Sequence, residues 1–183
     1  MEHKSDGREE MIEGLRRHSR GAYSEAMRRY GAFVSSIVGM MIRDPRDAEE
    51  AVQDTFISAF RAIGRFDESV ASFQTWLGRI AYNRSVDSLR RRTIPTGEIS
   101  ELTASVGCDD TDENLEADID LLREALELLS PVERTLLTLV YFDDIPLDEV
   151  AYIMQLNRPV ISSRLYRLRN KLARIINERK KQH

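Results

Sequence analysis

The chain has 183 residues, of which 42% are hydrophobic and 32% are charged, with a net charge of −4 at neutral pH. That length suits one domain or two small ones, and the 9 glycines and 5 prolines are few enough to favour helices throughout. No apolar run approaches the roughly 20 residues of a membrane span. The N-terminus lacks the apolar core of a signal peptide, and the single cysteine, Cys108, excludes an internal disulfide. We therefore expect a cytoplasmic protein.

Residues 10–92 predict a first helical domain. Apolar residues at helical spacing indicate three helices within it, over residues 30–41, 48–63 and 73–80. Asp44 is suited to cap the second helix and Pro45 to fill its first position, because the amide that proline lacks would have no partner there. Gly64 is expected to end that helix, and residues 65–72 to form a loop before the third.

Charge is segregated along the chain. Eleven acidic residues and one arginine lie over 98–127, five arginines and one acid over 79–92, and nine basic residues and one acid over 158–181. Salt screens charges beyond about 8–10 Å, so the two basic segments matter more for phosphate binding than the net charge does. Residues 93–114 are polar, acidic and without sustained periodicity, which predicts a flexible linker between two domains.

Residues 115–178 predict a second helical domain that ends in a helix-turn-helix. Ser130-Pro131-Val132-Glu133 is a capping box with proline at the first helical position, which favours a helix start. A short helix with one apolar side follows over 147–153. Gln155 stands where such a turn often carries glycine, so the turn must form without a residue that enters positive φ freely.

The last helix of the second domain is amphipathic. Asn157 is suited to cap it. Its apolar residues recur at i, i+4, i+7 and i+11, at Ile161, Leu165, Leu168 and Leu172. The opposite face carries Arg158, Ser162, Ser163, Tyr166, Arg167 and Arg169. A basic helix on a compact two-helix frame favours binding in the major groove of DNA, and the alternative is an amphipathic surface helix without DNA contact.

Residue patterns for enzymatic chemistry are missing from the sequence. The three histidines are scattered, and one cysteine gives no zinc-ligand spacing. No phosphate-binding loop or nucleophile motif occurs. Cys108 stands among acids without electropositive neighbours, so a redox role is not expected. We therefore expect no catalytic residues, no metal site and no cofactor.

Five motifs resemble those of the extracytoplasmic-function sigma factors, the compact group of the sigma-70 family of bacterial RNA polymerase subunits. From Asp47 the chain reads DAEEAVQDTF, similar to DAEDxVQETF, and from Ser72 it reads SFQTWLGRIAYN, similar to (S/A)FRTWLxRIAxN. VDSLRRR from Val86 resembles LDxLRRR. LLSPVER from Leu128 and IPLDEVA from Ile145 resemble LPxxxR and (L/I)PLEEIA. The resemblance covers nearly the whole chain, in order and spacing.

The resemblance implies that the first domain, like sigma region 2, docks on the polymerase and opens the minus-10 promoter element. The positions matching the polymerase-docking face are Asp47, Glu50, Gln53, Asp54 and Phe56. Asn83 and the loop 65–72 match the pocket for a flipped base, for which an amide supplies both donor and acceptor. Phosphate contacts are implied for Arg79, Arg84, Arg90, Arg91 and Arg92. Phe73 and Trp76 are expected in the core rather than as stacking platforms for bases.

The second domain resembles sigma region 4, which implies recognition of the minus-35 element. The positions facing bases are Ser162, Ser163, Tyr166 and Arg167, and those placed for phosphates are Arg158, Arg164, Arg169 and Lys171. The family often carries Lys or Arg where Ser162 stands, so the target sequence does not follow from the resemblance. The acidic linker would suit a positively charged channel of the polymerase, with a plain tether as the alternative.

We therefore expect an all-α protein of two small helical domains that enables a polymerase to recognise promoters. The resemblance implies core RNA polymerase, promoter DNA and a dedicated anti-sigma factor as partners, without membrane insertion. The alternative is a stand-alone helix-turn-helix regulator that binds DNA without polymerase, but the N-terminal motifs would then have no role. A small helical hydrolase or transferase is disfavoured by the missing catalytic patterns.

Overall fold

The computed structural model describes residues 7–92 and 122–180, with the side chains of Arg92, Arg179 and Lys180 outside that description. Within these two ranges the regular structure is helical and contains no strand, which confirms the predicted all-α class. The predicted linker 93–114, which contains Cys108, lies outside the described residues, as does the start of the predicted second domain.

Four α-helices form the described first half, 7–92. They are α1 (Arg8–Arg16), α2 (Arg20–Met41), α3 (Pro45–Ala62) and α4 (Phe73–Arg92). The three predicted apolar stripes fall in α2, α3 and α4. Asp44 caps α3 as predicted, because its Oδ1 accepts hydrogen bonds from the amides of Arg46 at 3.0 Å and Asp47 at 3.1 Å. The α-helix ends at Ala62 and tightens into a 3₁₀ turn at Ile63–Arg65, so Gly64 lies inside that turn rather than after the helix.

The described second half, 122–180, contains helix α5 over 122–127, then α6 (Pro131–Leu137), α7 (Leu147–Met154) and α8 (Arg158–Lys180). The capping box at the start of α6 is present: Ser130 Oγ accepts from the Glu133 amide at 3.3 Å, and Glu133 Oε2 accepts from the Ser130 amide at 2.8 Å. A π-helical turn, Thr138–Phe142, continues α6. Val140 and Tyr141 therefore belong to this wider turn rather than to α6 itself.

The hydrophobic stripes decide how the first half packs. Helices α2, α3 and α4 pack against one another, and α1 packs on α2. Leu15, Ile37 and Leu77 are fully buried among them. Their burial turns the polar stripes of α3 and α4 outward, which is how the packing sets the orientation of the predicted binding faces.

The two halves of the chain pack against each other as well. Helix α7 lies on α4 and α6 lies on α2, and the buried side chains of both halves form one continuous cluster. Polar contacts border this interface: Ser36 Oγ donates to Asp143 Oδ2 at 3.1 Å, and the Thr75 hydroxyl donates to Glu149. The sequence predicted two domains but not that their helices would pack together.

Two kinds of structure are not found in the described part of the chain. None of its helices combines the length and the apolar composition that crossing a membrane requires. Nor do three or more His, Cys, Asp or Glu side chains come together there in a group that could hold a metal ion.

Asp143 offers a test of the interface between the halves. Burial raises the pKa of its carboxyl above the ordinary value of 3.8, and the hydrogen bond from Ser36 opposes that rise. A carboxyl whose pKa is higher in the folded state destabilises the fold once it ionises. The destabilisation is therefore absent below the ordinary pKa, grows as the pH rises from the ordinary pKa to the folded pKa, and is fully present above it.

We expect Asp143→Asn to raise the midpoint of thermal unfolding at pH 7, since the amide oxygen still accepts from Ser36 and carries no charge to desolvate. The gain should shrink as the pH is lowered toward 4. Asp144→Asn removes the same charge at the exposed neighbouring position and serves as the control in calorimetry. Equal effects of the two substitutions at pH 7 would contradict the assignment.

Candidate nucleic-acid interface

The exposed face of α8 carries most of the residues predicted to meet DNA. Ile161, Leu165 and Leu168 are buried, which fixes how the helix is rotated against the core. The side chains turned outward are Arg158, Ser162, Ser163, Tyr166, Arg167 and Arg169. Tyr166 is 67% exposed and so available to a partner. Arg164 and Lys171, also predicted to contact DNA, are partly buried at the edges of this face.

The turn before α8 explains how the helix is presented. Asn157 caps it as predicted, with Oδ1 accepting from the Val160 amide at 3.1 Å. Gln155 adopts the left-handed conformation, with φ 56° and ψ 42°. The Leu156 amide then donates to the Ala151 carbonyl at 2.9 Å, closing the end of α7. A residue other than glycine occupies a left-handed position at a cost of roughly 1–2 kcal/mol.

Several cations of α8 already have partners within the chain. Arg158 pairs with Asp148 at 3.0 Å, and Arg169 donates to the Tyr141 hydroxyl at 2.6 Å. Lys171 binds the Glu133 carboxylate at 2.9 Å. Burial opposes ionisation of Glu133, yet hydrogen bonds from Lys171 and Ser130 outweigh it and lower its pKa. Lys171 must therefore leave a carboxylate before it can reach a phosphate, which sequence reasoning did not anticipate.

A second candidate surface lies on α4. Asn83 and Arg84 line a depression between α3 and α4, together with Ser58, Ala62, Ile80 and Asp87. Arg90 and Arg91 are exposed at the end of the helix, and the side chain of Arg92 lies outside the described residues. No residue of the loop 65–72 lines this depression. The structure thus brings Asn83 and Arg84 together but does not add the predicted loop to them.

That loop is attached to the core through Phe66, which the sequence analysis did not single out. Phe66 is 4% exposed, and its ring centroid lies 5.4 Å from that of Phe73 and 5.1 Å from that of Trp76. Phe73 is itself 2% exposed. The expectation that Phe73 belongs to the core is confirmed, and Trp76 packs partly buried against the same cluster.

The acidic face of α3 is the surface predicted to dock on polymerase. Glu50, Gln53 and Asp54 are exposed, and Asp47 is partly buried near the start of the helix. Phe56 differs from the others, because it is 3% exposed and its ring lies 5.8 Å from that of Phe60. Its prediction as a direct docking residue is therefore corrected. Phe56 packs in the core on the opposite side of α3, where it stabilises the helix that carries the acidic face.

The α4 surface also meets the second half of the chain. The amide of Gln155 donates to Asn83 Oδ1, and Arg79 donates to Gln155 Oε1 at 3.3 Å. The Arg79 guanidinium lies 4.8 Å from the ring centre of Tyr152. The sequence identified Gln155 as standing where such a turn often carries glycine, but nothing there indicated that its side chain would reach α4.

Comparison with known families places both halves of the chain. The model of sigma-70 region 2 matches residues 26–94, and that of sigma-70 region 4 matches residues 119–172. The first span contains α4, the second contains α7 and α8 as far as residue 172, and they follow each other in the order expected from the motifs. The chain belongs to the sigma-70 family.

Relatives specify the type of sigma factor. RNA polymerase sigma-H factor of Pseudomonas aeruginosa is 27% identical over 173 residues, covering 88% of this chain and 89% of its own length. The extracytoplasmic-function sigma factor SigK of Mycolicibacterium vanbaalenii is 29% identical over 140 residues, covering 73% of this chain and 71% of its own. This sigma factor is accordingly of the extracytoplasmic-function type.

Solved structures show the same fold. CnrH, in complex with the cytosolic domain of CnrY, has a TM-score of 0.67 and 20% identity, covering 94% of this chain and 99% of its own. The sigma factor RpoE of Bartonella quintana, in complex with the anti-sigma factor NepR, has a TM-score of 0.66 and 20% identity, covering 85% of this chain and 96% of its own.

Arg167 tests whether the exposed face of α8 reads bases. In a complex of the sigma factor with core polymerase, Arg167→Ala should weaken promoter binding by about 1–3 kcal/mol and relax the preference at one base position. Competition among promoters that differ by single base pairs in the minus-35 element measures this. Arg174→Ala, exposed further along α8, should weaken all sequences alike or not at all. A uniform loss for Arg167→Ala would make it a phosphate contact instead.

Proposed function

We propose that this sigma factor recognises a promoter through two separate surfaces while bound to core RNA polymerase. The exposed face of α8 reads the minus-35 element in the major groove, and α4 holds and opens the minus-10 element. The acidic face of α3 docks on the polymerase. One observation carries the proposal: the helix matching region 4 presents serines, a tyrosine and arginines to solvent over a fully apolar buried side.

The proposed division of labour on α8 follows from side-chain chemistry. Base edges are contacted by Ser162, Ser163, Tyr166 and Arg167. Arginine forms hydrogen bonds with guanine, and the serine hydroxyl can form a hydrogen bond with any of several bases. Arg158, Arg164, Arg169 and Lys171 hold phosphates, which fix position without reading sequence. The carboxylates of Asp148 and Glu133 keep two of these cations in place until DNA replaces them.

On α4 the proposed roles also divide between one reader and several anchors. Asn83 binds a base flipped out of the minus-10 element, and Arg79, Arg84, Arg90, Arg91 and Arg92 hold the phosphates around it. The depression beside Asn83 supports this role, because it offers the amide, Ser58 and Asp87 as hydrogen-bonding groups around one concave surface.

We also infer that an anti-sigma factor regulates this chain, in keeping with the family resemblance. The RpoE structure of similar fold contains such a partner. The second candidate function, a stand-alone regulator, has no observation in its favour, since it leaves the α3 face without a role. We further infer a cytoplasmic location and no catalytic activity of its own.

Run-off transcription tests the proposal as a whole. Purified core polymerase should initiate at new, discrete start sites only when the chain is added, and the chain alone should bind the same promoters weakly. Tight, sequence-specific binding by the isolated chain, with no effect on polymerase, would favour the stand-alone regulator.

Asn83 tests the base-flipping step. Asn83→Ala should slow strand opening, measured by permanganate reactivity of unpaired thymines, more than it weakens initial docking on the duplex. Arg90→Ala is the contrasting variant, because loss of an exposed phosphate anchor should weaken docking and leave the opening step of the docked complex unchanged. Equal defects of Asn83→Ala in both steps would reject the flipping role.

A further inference from the structure

Helix α8 holds its cations in two different ways. Arg158 and Lys171 are each paired with a carboxylate of another helix, so their charges are largely balanced within the chain. Arg169 instead donates its Nε–H to the hydroxyl of Tyr141, with 2.6 Å between nitrogen and oxygen. Because a hydroxyl is neutral, Arg169 keeps its full positive charge while it is held in place.

The guanidinium of Arg169 has further donors available beside this contact. An arginine carries five N–H groups in one plane, and Tyr141 accepts only the one on Nε. Within the described residues, 7–92 and 122–180, the chain supplies no acceptor for the two terminal amino groups of Arg169. Such groups can form the paired hydrogen bonds by which arginine holds a phosphate. Tyr141 and a phosphate can therefore bind Arg169 at the same time.

The ring of Tyr141 also restricts Arg169. Cζ of the guanidinium lies 5.6 Å from the ring centre, within the range of a cation–π contact. An arginine at an exposed position otherwise samples many rotamers, and the entropy lost when DNA orders it reduces the affinity. A side chain that orders Arg169 before DNA arrives lowers this cost.

The π-helical turn before α7 directs Tyr141 toward α8. In this turn, Thr138–Phe142, the Asp143 amide donates to the Thr138 carbonyl at 2.9 Å, a bond that spans five residues rather than the four of an α-helix. The wider turn changes the direction of the side chains at its end. Leu139 is fully buried, whereas Tyr141 is 49% exposed. π-helical turns are frequent at functional sites, and this one places a tyrosine beside the helix predicted to meet DNA.

Arg169 lies at one end of the face predicted to read bases. It follows Ser162 by seven residues and Tyr166 by three, a spacing that places all three on one side of the helix. Seven residues extend over about 10 Å along the helix axis. The N-terminal residues of a recognition helix contact base edges, so a cation about two turns further on is placed for the DNA backbone.

We propose that Tyr141 is a positioning residue of the DNA interface, which orients the guanidinium of Arg169 so that its terminal amino groups meet a backbone phosphate of the minus-35 element. The inference rests on the proposed role of α8. It adds a residue on the preceding π-helical turn, outside the helix-turn-helix, to those on which DNA affinity depends.

Tyr141→Phe tests this role, because it removes the hydroxyl and keeps the ring. The affinity of the isolated chain for a fluorescein-labelled random-sequence duplex, measured by anisotropy at low salt, should fall roughly two- to fivefold. Phosphate contacts do not depend on sequence. The complex with core polymerase should therefore lose the same factor on every base-pair variant of a promoter found by run-off transcription.

Tyr23→Phe is the matched control for this substitution. It also removes a tyrosine hydroxyl that has a hydrogen-bond partner, Nδ1 of His18 at 2.8 Å, but in the first half of the chain. It should leave both affinities unchanged. Equal affinities of the Tyr141→Phe and Tyr23→Phe variants would overturn the proposal.

A double-mutant cycle shows whether the hydroxyl acts through Arg169. In an Arg169→Gln background, Tyr141→Phe should have no further effect on the affinity for the random duplex. An equal loss in both backgrounds would mean that the hydroxyl acts without Arg169, and would overturn the positioning role. Weaker binding to core polymerase with duplex binding unchanged would assign the hydroxyl to a protein interface and overturn it as well.

Nuclear magnetic resonance of the free chain tests the contact itself. The Nε–H signal of Arg169 should exchange with water more slowly in the unaltered chain than in Tyr141→Phe, because the hydroxyl protects it. Equal exchange rates would contradict the contact. The measurements on the free chain need neither polymerase nor a promoter, so they decide the role of Tyr141 even if run-off transcription were to reject the proposed function.

Discussion

The packing of α7 on α4 is the contact on which the rest of the structure depends. One face of α4 buries Leu77 in the core, and the adjoining surface at Gly78, Arg79 and Asn83 receives the helix-turn-helix. A helix surface can hold only one neighbour at a time. On the proposed role of α4, Arg79 and Asn83 have to exchange their contacts with α7 for the minus-10 DNA, which would couple the packing of the two halves to promoter recognition.

The placement of charge along the chain matters more than its sum. The chain is acidic overall, yet its cations are concentrated on α4 and α8. Some of the cations on α8 are held by neighbouring groups, as Lys171 is by Glu133 and Arg169 by Tyr141. Because these contacts are at least partly exposed, they are weak, and on the proposed function a phosphate would replace Glu133 at Lys171.

Much of the local structure could be predicted from the sequence, since helix starts and apolar stripes depend on neighbouring residues. Asp44, Ser130 and Asn157 all cap the helices they were expected to cap. The helix α1 was not identified individually, although its buried residues Met11, Ile12 and Leu15 stand at helical spacing in the sequence. The π-helical turn after α6 has no sequence signal comparable to a cap.

Tertiary contacts account for what the sequence could not predict about the candidate site. The family resemblance included Phe56 among the docking residues, but resemblance does not distinguish a side chain on the surface from one that supports it. Phe66 attaches its loop to the core through ring contacts with Phe73 and Trp76, which form only when the chain folds. The reach of Gln155 to Asn83 joins residues 72 positions apart, and no periodic pattern encodes such a distance.

The most direct measurement of the central claim is energy transfer between fluorophores on the two halves, recorded before and after an active promoter complex forms with core polymerase. The closed packing of α7 on α4 predicts high transfer in the free chain and its loss in the complex, as α4 and α8 move to elements about 85 Å apart on the DNA. Transfer that stays high while the complex synthesises RNA would contradict the account.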